Sequence, residues 1–199
     1  MIGIIDYGMS NLQSVKNACD YLNLRSVVSK DISVLSQCEK LILPGVGAFQ
    51  DCMHMLHETG LYDFIVGQVK NKVPLLGICL GMQALFETSE ENGMCEGFGF
   101  LKGHVKHMED TSVKIPQIGW NSLQSFQPLM IFKENMYVYY VHSYYVKDID
   151  ERDLLGYSMY GSMKIPGLVM HGHIMGCQFH PEKSGEDGLK ILKYFGKEF

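Results

Sequence analysis

The chain has no apolar run longer than a strand requires, and no positively charged leader stands before its first apolar stretch, Met1-Ile2-Gly3-Ile4-Ile5-Asp6. Those absences argue against a membrane-spanning helix and a secretory signal, so a cytoplasmic protein is expected. Basic residues are in deficit, 17 Lys and Arg against 22 Asp and Glu for a net charge of -5, and they are scattered along the sequence. Neither a polybasic stripe nor a basic amphipathic helix can be assembled from them, which removes nucleic acid and membrane surfaces as expected partners. The six cysteines, Cys19, Cys38, Cys52, Cys79, Cys95 and Cys177, form no C-x-x-C pair, so zinc ribbons and thioredoxin-type motifs are absent. A disulfide framework is not expected in a reducing compartment. His171 and His173 near Cys177 lack a fourth metal ligand, and His-x-His alternation reads as two solvent-facing side chains of a hairpin. No metal or other cofactor is expected. No linker, internal repeat or low-complexity segment divides the chain, and residues 1–199 read as a single domain.

What is present is an ordinary globular composition, 46% hydrophobic, with a βαβ rhythm in the first half. Strands are predicted at Ile2 to Asp6, Ser26 to Val28, Lys40 to Leu43 and Leu75 to Ile78. Helical spacing is found over Leu12 to Leu24, Asp51 to Glu58, Leu61 to Lys72 and Gly81 to Glu87. After about Ser89 the texture turns to glycine-rich turns and short β-like runs, the longest being Tyr137 to Tyr145. Further strands are predicted at Leu154 to Ser158, Leu168 to Met170 and Ile174 to Phe179, and a last helix over Glu186 to Lys197. The expected fold is α/β: an open, mostly parallel central sheet flanked by helices, with a smaller antiparallel extension. Ligands of such sheets gather beyond the carboxyl ends of the strands.

Two segments fall at those ends and carry chemistry. In Gly77-Ile78-Cys79-Leu80-Gly81 a cysteine sits where an apolar strand turns into a helix, the strand-turn-helix logic that exposes a nucleophile. A helix N-terminus favours the thiolate through its dipole and unpaired N–H groups. By itself the motif leaves two readings, a reactive thiol and a buried small hydrophobe. A nucleophile needs a base and an orienting group, and Gln178-Phe179-His180-Pro181-Glu182 offers both after another apolar strand, with Pro181 fixing the separation of His180 and Glu182. The Pro44-Gly45-Val46-Gly47 loop reaches the same edge.

With these segments in that order, together with Asp6-Tyr7-Gly8-Met9-Ser10-Asn11, Ile118-Gly119-Trp120-Asn121, Val141-His142-Ser143-Tyr144 and Phe179-His180-Pro181-Glu182-Lys183-Ser184, the chain resembles the class I, triad-type glutamine amidotransferases. It resembles in particular the branch serving histidine biosynthesis, and the family's fold has a flavodoxin-like core. The resemblance implies a catalytic triad of Cys79, His180 and Glu182 that hydrolyses L-glutamine through a cysteine thioester. It also implies an oxyanion hole from the Leu80 N–H and the Gly47 segment, the latter through a peptide flip that a partner would trigger. Glutamine would be held by Gly47, Gln83, Ser143 and Tyr144, the last two largely through backbone. The partner so implied is a (β/α)8-barrel synthase subunit that forms a heterodimer with the chain and receives the ammonia through a channel, contacting Asn11, Trp120, Tyr139 and Lys183. Trp120, the only tryptophan, reads either as an exposed anchor or as a core residue.

Two positions depart from that branch: Gln117 stands where a histidine is more usual, and Ser10 where a glycine is common. They keep open a paralogous glutaminase that feeds a different synthase, such as one amidating sugars for surface glycans. From other classes, a stand-alone γ-glutamyl hydrolase would need a peptide-binding extension, and a non-catalytic regulatory subunit would be expected to have lost a triad residue.

Overall fold

The structure is a computed structural model, and it describes residues 1–9, 11–127 and 136–199. Its first half alternates β1 (Ile2–Ile5), α1 (Leu12–Tyr21), β2 (Ser26–Ser29), α2 (Ile32–Leu35), β3 (Lys40–Gly45), α3 (Phe49–Glu58), α4 (Leu61–Lys70), β4 (Leu75–Cys79) and α5 (Leu80–Ala84). After α5 the described residues add β5 (Thr88–Ser89), β6 (Cys95–Glu96), β7 (His104–His107), β8 (Gln117–Ser125), β9 (Met136–His142), β10 (Tyr144–Lys147), β11 (Leu154–Tyr160), β12 (Met163–His171) and β13 (Ile174–Cys177), and then α6 (Gly185–Lys197).

The strands form a nine-stranded sheet of order β2-β1-β3-β4-β13-β12-β11-β8-β9 and a four-stranded sheet of order β10-β7-β5-β6. From β2 to β13 the pairing is parallel, and from β13 to β9 antiparallel. The parallel part follows the doubly wound order in which the strand direction of travel reverses beside the first strand. Because β13 runs parallel to β4, Cys79 and the segment after Cys177 leave the sheet at the same edge.

Alternation along the strands supplies two cores. Ile2, Ile4, Ile42 and Leu76 face α1 and α6 through Val15, Cys19, Ile191 and Phe195. Ile5, Leu41, Leu43 and Leu75 face the opposite layer of α3 and α4 through Phe49, Leu56, Leu61 and Ile65. Period-two strands that are apolar on both faces are what a sheet buried between helices requires.

The structure corrects several predicted elements. The run from Tyr137 to Tyr145 is two strands that part at Ser143: β9 pairs with β8, whereas β10 pairs with β7 in the other sheet. α2, β5, β6, β7 and β8 are not among the elements that the sequence pattern delimits; β8 is half-exposed and polar along much of its length, which conceals the alternation. The helix expected over Gly81 to Glu87 stops at Ala84. The carbonyls of Ala84, Leu85 and Phe86 accept instead from the N–H groups of Phe98, Phe100, Leu101 and Gly99, so the 97–101 loop replaces the next helical turn.

α5 packs against β3 so closely that a Cβ on Gly81 would overlap the Leu43 carbonyl oxygen, and one on Gly77 would press on the Gly81 backbone. Neither neighbour is a flexible side chain that can move aside. Gly81→Ala is therefore expected to lower the unfolding free energy by about 3 kcal/mol or more, measured by urea denaturation, because the strain falls on backbone rather than on a rotamer.

Candidate active site

Cys79 ends β4 with φ 54° and ψ -110°, a backbone conformation that costs a non-glycine residue on the order of 2 kcal/mol and persists only where surrounding contacts impose it. The glycine contacts just described impose it here. The residue is 6% exposed, its thiol faces the Val141 carbonyl at 3.8 Å, and the side-chain amide of Gln178 lies 3.9 Å from Sγ. Since α5 is five residues long, the dipole of a long helix is missing, and the local N–H groups of its first turn, Leu80 foremost, are what remains to support negative charge.

His180 and Glu182 lie on either side of Pro181 at the start of a single 3-10 turn over Pro181–Lys183. His180 Nδ1 bonds Glu182 Oε1 at 2.9 Å, with the two side chains 4% and 1% exposed. Burial works against charge on the His180 ring, but hydrogen bonds to Cys79 and Glu182 and the charges of both outweigh it, and the pKa is pushed up to about 10. The ring is thus placed between a sulfur and a carboxylate. The turn is tied to β9: His180 N–H donates to the Tyr139 carbonyl at 2.9 Å, while Ser184 Oγ accepts from Tyr139 N–H at 2.9 Å and donates to the His180 carbonyl at 2.6 Å. Asp187 accepts from Tyr137 N–H at 3.0 Å.

In front of Cys79 opens a cavity of about 370 Å³, lined by Gly47, Leu80, Gln83, Ser143, Tyr144, His180 and Lys183 among others. The structure thereby brings together most of the residues singled out from sequence. Glu182 stands behind His180 and borders, with Asn11, a second cavity of about 10 Å³. Trp120 is 57% exposed on β8, opposite Tyr139 in register and edge-on to it at 6.0 Å, so it is a surface residue and not part of the core. Ile118, Tyr137 and Val141 are exposed on the same pair of strands.

Two residues of the cavity wall, Glu91 and His142, and one behind it, Gln178, were missed in the sequence. Gln178 is fully buried behind Cys79. Glu91 accepts from the Phe49 N–H at 2.8 Å, and burial raises its pKa. Burial drives the pKa of His142 down to about 4, against a hydrogen bond from Nδ1 to the Tyr144 carbonyl at 2.8 Å and with a further push from the nearby His180 charge. A neutral ring that donates from Nδ1 accepts at Nε2, so the Gln117 carboxamide, 3.0 Å away, presents its NH2 there; reversed, that nitrogen is buried without a partner. The position that departs from the histidine-biosynthetic pattern is therefore buried and faces the site. Ser10, the other departure, lies outside the described residues. The sequence signal for His142 is its place in the Val141-to-Tyr144 motif, beside Ser143 and Tyr144.

A family profile described as glutamine amidotransferase class-I matches residues 3–198. The chain belongs to the class-I glutamine amidotransferases. Imidazole glycerol phosphate synthase subunit HisH of Geobacillus sp. (strain WCH70) is 48% identical over 98% of this chain and 95% of its own length. The subunit of the same name from Oceanobacillus iheyensis is 48% identical over 98% of each chain. Among solved structures, a glutamine amidotransferase crystal structure superposes with a TM-score of 0.78 at 18% identity, covering 98% of this chain and 96% of the other. PurLQS from Thermotoga maritima gives 0.76 at 21% identity over 98% and 96%. At such identities these structures speak for the amidotransferase fold alone.

Among the described residues no three His, Cys, Asp or Glu side chains are grouped to hold a metal ion. The His171, His173 and Cys177 set has other partners in this amidotransferase: His171 bonds Asp153 at 2.9 Å, His173 donates to the Val69 carbonyl at 2.8 Å, and Cys177 is buried.

The depressed pKa of His142 has a sign for stability. Its unfolded form takes up a proton near pH 6.5 and the folded form only near 4, so the stability it contributes is complete above about 6.5 and lost as pH falls through about 4. Urea unfolding of wild type and His142→Phe across that window is expected to show the wild type losing up to about 3 kcal/mol more than the variant.

Proposed function

We propose that the chain is the glutaminase subunit of imidazole glycerol phosphate synthase, hydrolysing L-glutamine and passing the ammonia to a (β/α)8-barrel cyclase subunit in a heterodimer. The observation that carries this reading is the convergence of Cys79, Gln83 and His180 on one open cavity, with the buried Glu182 bonded behind His180, in a chain nearly half identical to HisH subunits along its length. Residues 1–199 act in it as one amidotransferase unit. Free thiols at all six cysteines suit the reducing cytoplasm, where we place the reaction.

In this mechanism Cys79 has passed its S–H proton to His180, Sγ attacks the side-chain amide carbon of glutamine as the thiolate, and the oxyanion that forms is met by the Leu80 N–H. His180, protonated at rest, gives its proton to the departing nitrogen, which leaves as ammonia. The neutral ring then takes a proton from water as the water attacks the thioester, and glutamate is released. Glu182 holds the ring in orientation and balances its charge. Both hydrogens of the Gln83 amide are committed, to the Tyr144 carbonyl at 2.8 Å and to Gln178 at 3.0 Å, so its oxygen is the atom offered to the α-ammonium of the substrate. Gly47 and the backbone of Ser143 and Tyr144 complete the glutamine site.

The second oxyanion donor belongs to the Val46–Gly47 segment. The Val46 N–H is engaged with the Met9 carbonyl at 3.4 Å, and Gly47 has φ 102°, so recruiting a donor here requires a peptide to turn. Met9 is close to Asn11, one of the residues assigned to the partner face, along with Trp120, Tyr139 and Lys183. Docking of the barrel at that face is the event that would release the peptide.

Glutamate release is expected to be low for the isolated chain and to rise when the cyclase subunit is added. Cys79→Ala should abolish it while leaving synthesis from added ammonium salt by the complex intact. Hydrolysis of γ-glutamyl peptides by the chain alone, or full activation by a sugar-amidating synthase instead, would overturn the assignment. The exposed Trp120 is expected to anchor the interface, with Trp120→Ala weakening the complex by about 2 kcal/mol, roughly thirtyfold in Kd by calorimetric titration.

A further inference from the structure

Gln178 is fully buried behind the nucleophile, and no step written above uses it. Its orientation follows from one fixed point. The Tyr144 carbonyl oxygen can only accept, so the group facing it at 2.8 Å is the NH2 of Gln83. The other hydrogen of that NH2 is directed at Gln178 across 3.0 Å and needs an acceptor, so Gln178 turns its oxygen toward Gln83. Its NH2 is left facing Cys79 Sγ at 3.9 Å. Turning Gln178 over would oppose two NH2 groups and set a carbonyl oxygen against the sulfur. The residue is also anchored through its backbone, whose N–H donates to the Gly167 carbonyl at 3.0 Å.

We infer that Gln178 is a positioning residue for the nucleophile: its NH2 holds the Cys79 sulfur and favours its ionised form, and its oxygen is locked by Gln83 at the wall of the glutamine cavity. A donor facing sulfur interacts more strongly with a thiolate than with a thiol. It therefore assists the transfer of the S–H proton to His180, and it assists again when sulfur leaves the thioester as thiolate. With α5 too short to supply a helix dipole, this amide takes over part of the task the sequence assigned to the helix.

The inference rests on the glutaminase reading, and its test separates the two. Alkylation of Cys79 by iodoacetamide is followed by mass spectrometry of the Cys79 peptide as a function of pH, in the complex with the cyclase subunit. Gln178→Met keeps length and volume but removes the donor; it is expected to slow alkylation at neutral pH roughly threefold to tenfold, to move the midpoint of the pH profile upward, and to lower kcat more than it changes KM. Gln178→Glu should move the midpoint further, because a carboxylate then faces the sulfur. Profiles unchanged in both variants would overturn the inference. In the wild-type protein, without any substitution, the side-chain amide proton signals of Gln178 should shift when Cys79 is alkylated, and their constancy would overturn it equally. An untreated wild-type complex that releases no glutamate, although its Cys79 reacts with iodoacetamide in a parallel sample, defeats the glutaminase reading and leaves the Gln178 comparison standing. Turnover by wild type with unaltered variant profiles defeats the role of Gln178 alone.

Discussion

The contact on which the site depends is backbone against backbone: the first turn of α5 rests on β3 at Gly81, with the Leu43 carbonyl in the space a side chain would occupy. That approach holds Cys79 in its left-handed conformation, sets Leu80 at the cavity wall, and places Gln83 one turn along, where its amide meets the Tyr144 carbonyl. A looser turn would lose all three placements together. The hydrophobic layers on either face of the sheet keep the strand and the short helix pressed together, so the core contributes to chemistry through the rigidity of one turn.

Around that turn the fold buries polar groups selectively. Gln83, Gln117, Gln178 and His142 are neutral, and each is oriented by a neighbour with a fixed donor or acceptor role. The buried charge is concentrated in His180 and Glu182, where each partner compensates the other, because an isolated charge there would be costly. The two histidines of the cavity are driven in opposite directions, to about 4 for His142 and about 10 for His180. One is held neutral and the other charged, a division set by surroundings and not by residue type.

The parallel half of the sheet was legible because its strands are short, apolar on both faces and separated by helices of regular spacing, as in Leu41 to Leu43 and Leu75 to Ile78. Cys79 and His180 were legible because they follow such strands. Position along the chain carries no sign of the short α5, since Leu85 and Phe86 continue the helical pattern and only the distant 97–101 loop ends it. Gln117 illustrates the opposite difficulty. Next to the exposed Ile118 and Trp120 it reads as a surface residue, yet strand alternation turns it inward onto His142. Gln178 was in plain view within its motif, but its bearing on Cys79 requires the parallel pairing of β13 with β4, a contact between segments about a hundred residues apart that local pattern does not contain.

β9 is the last strand of its sheet, and its outer edge exposes the backbone groups that in other proteins invite a stray strand to add. Here that edge is occupied in succession by Asp187 on the Tyr137 N–H, Ser184 and His180 on the two sides of the Tyr139 peptide unit, and the Cys79 thiol on the Val141 carbonyl. The residues gathered around Cys79 and His180 therefore also serve as the sheet's border. A lesion that pulls the His180 turn away would release a sticky aromatic strand as well as open the cavity wall, so damage to the site and a tendency to aggregate are coupled at the same few hydrogen bonds.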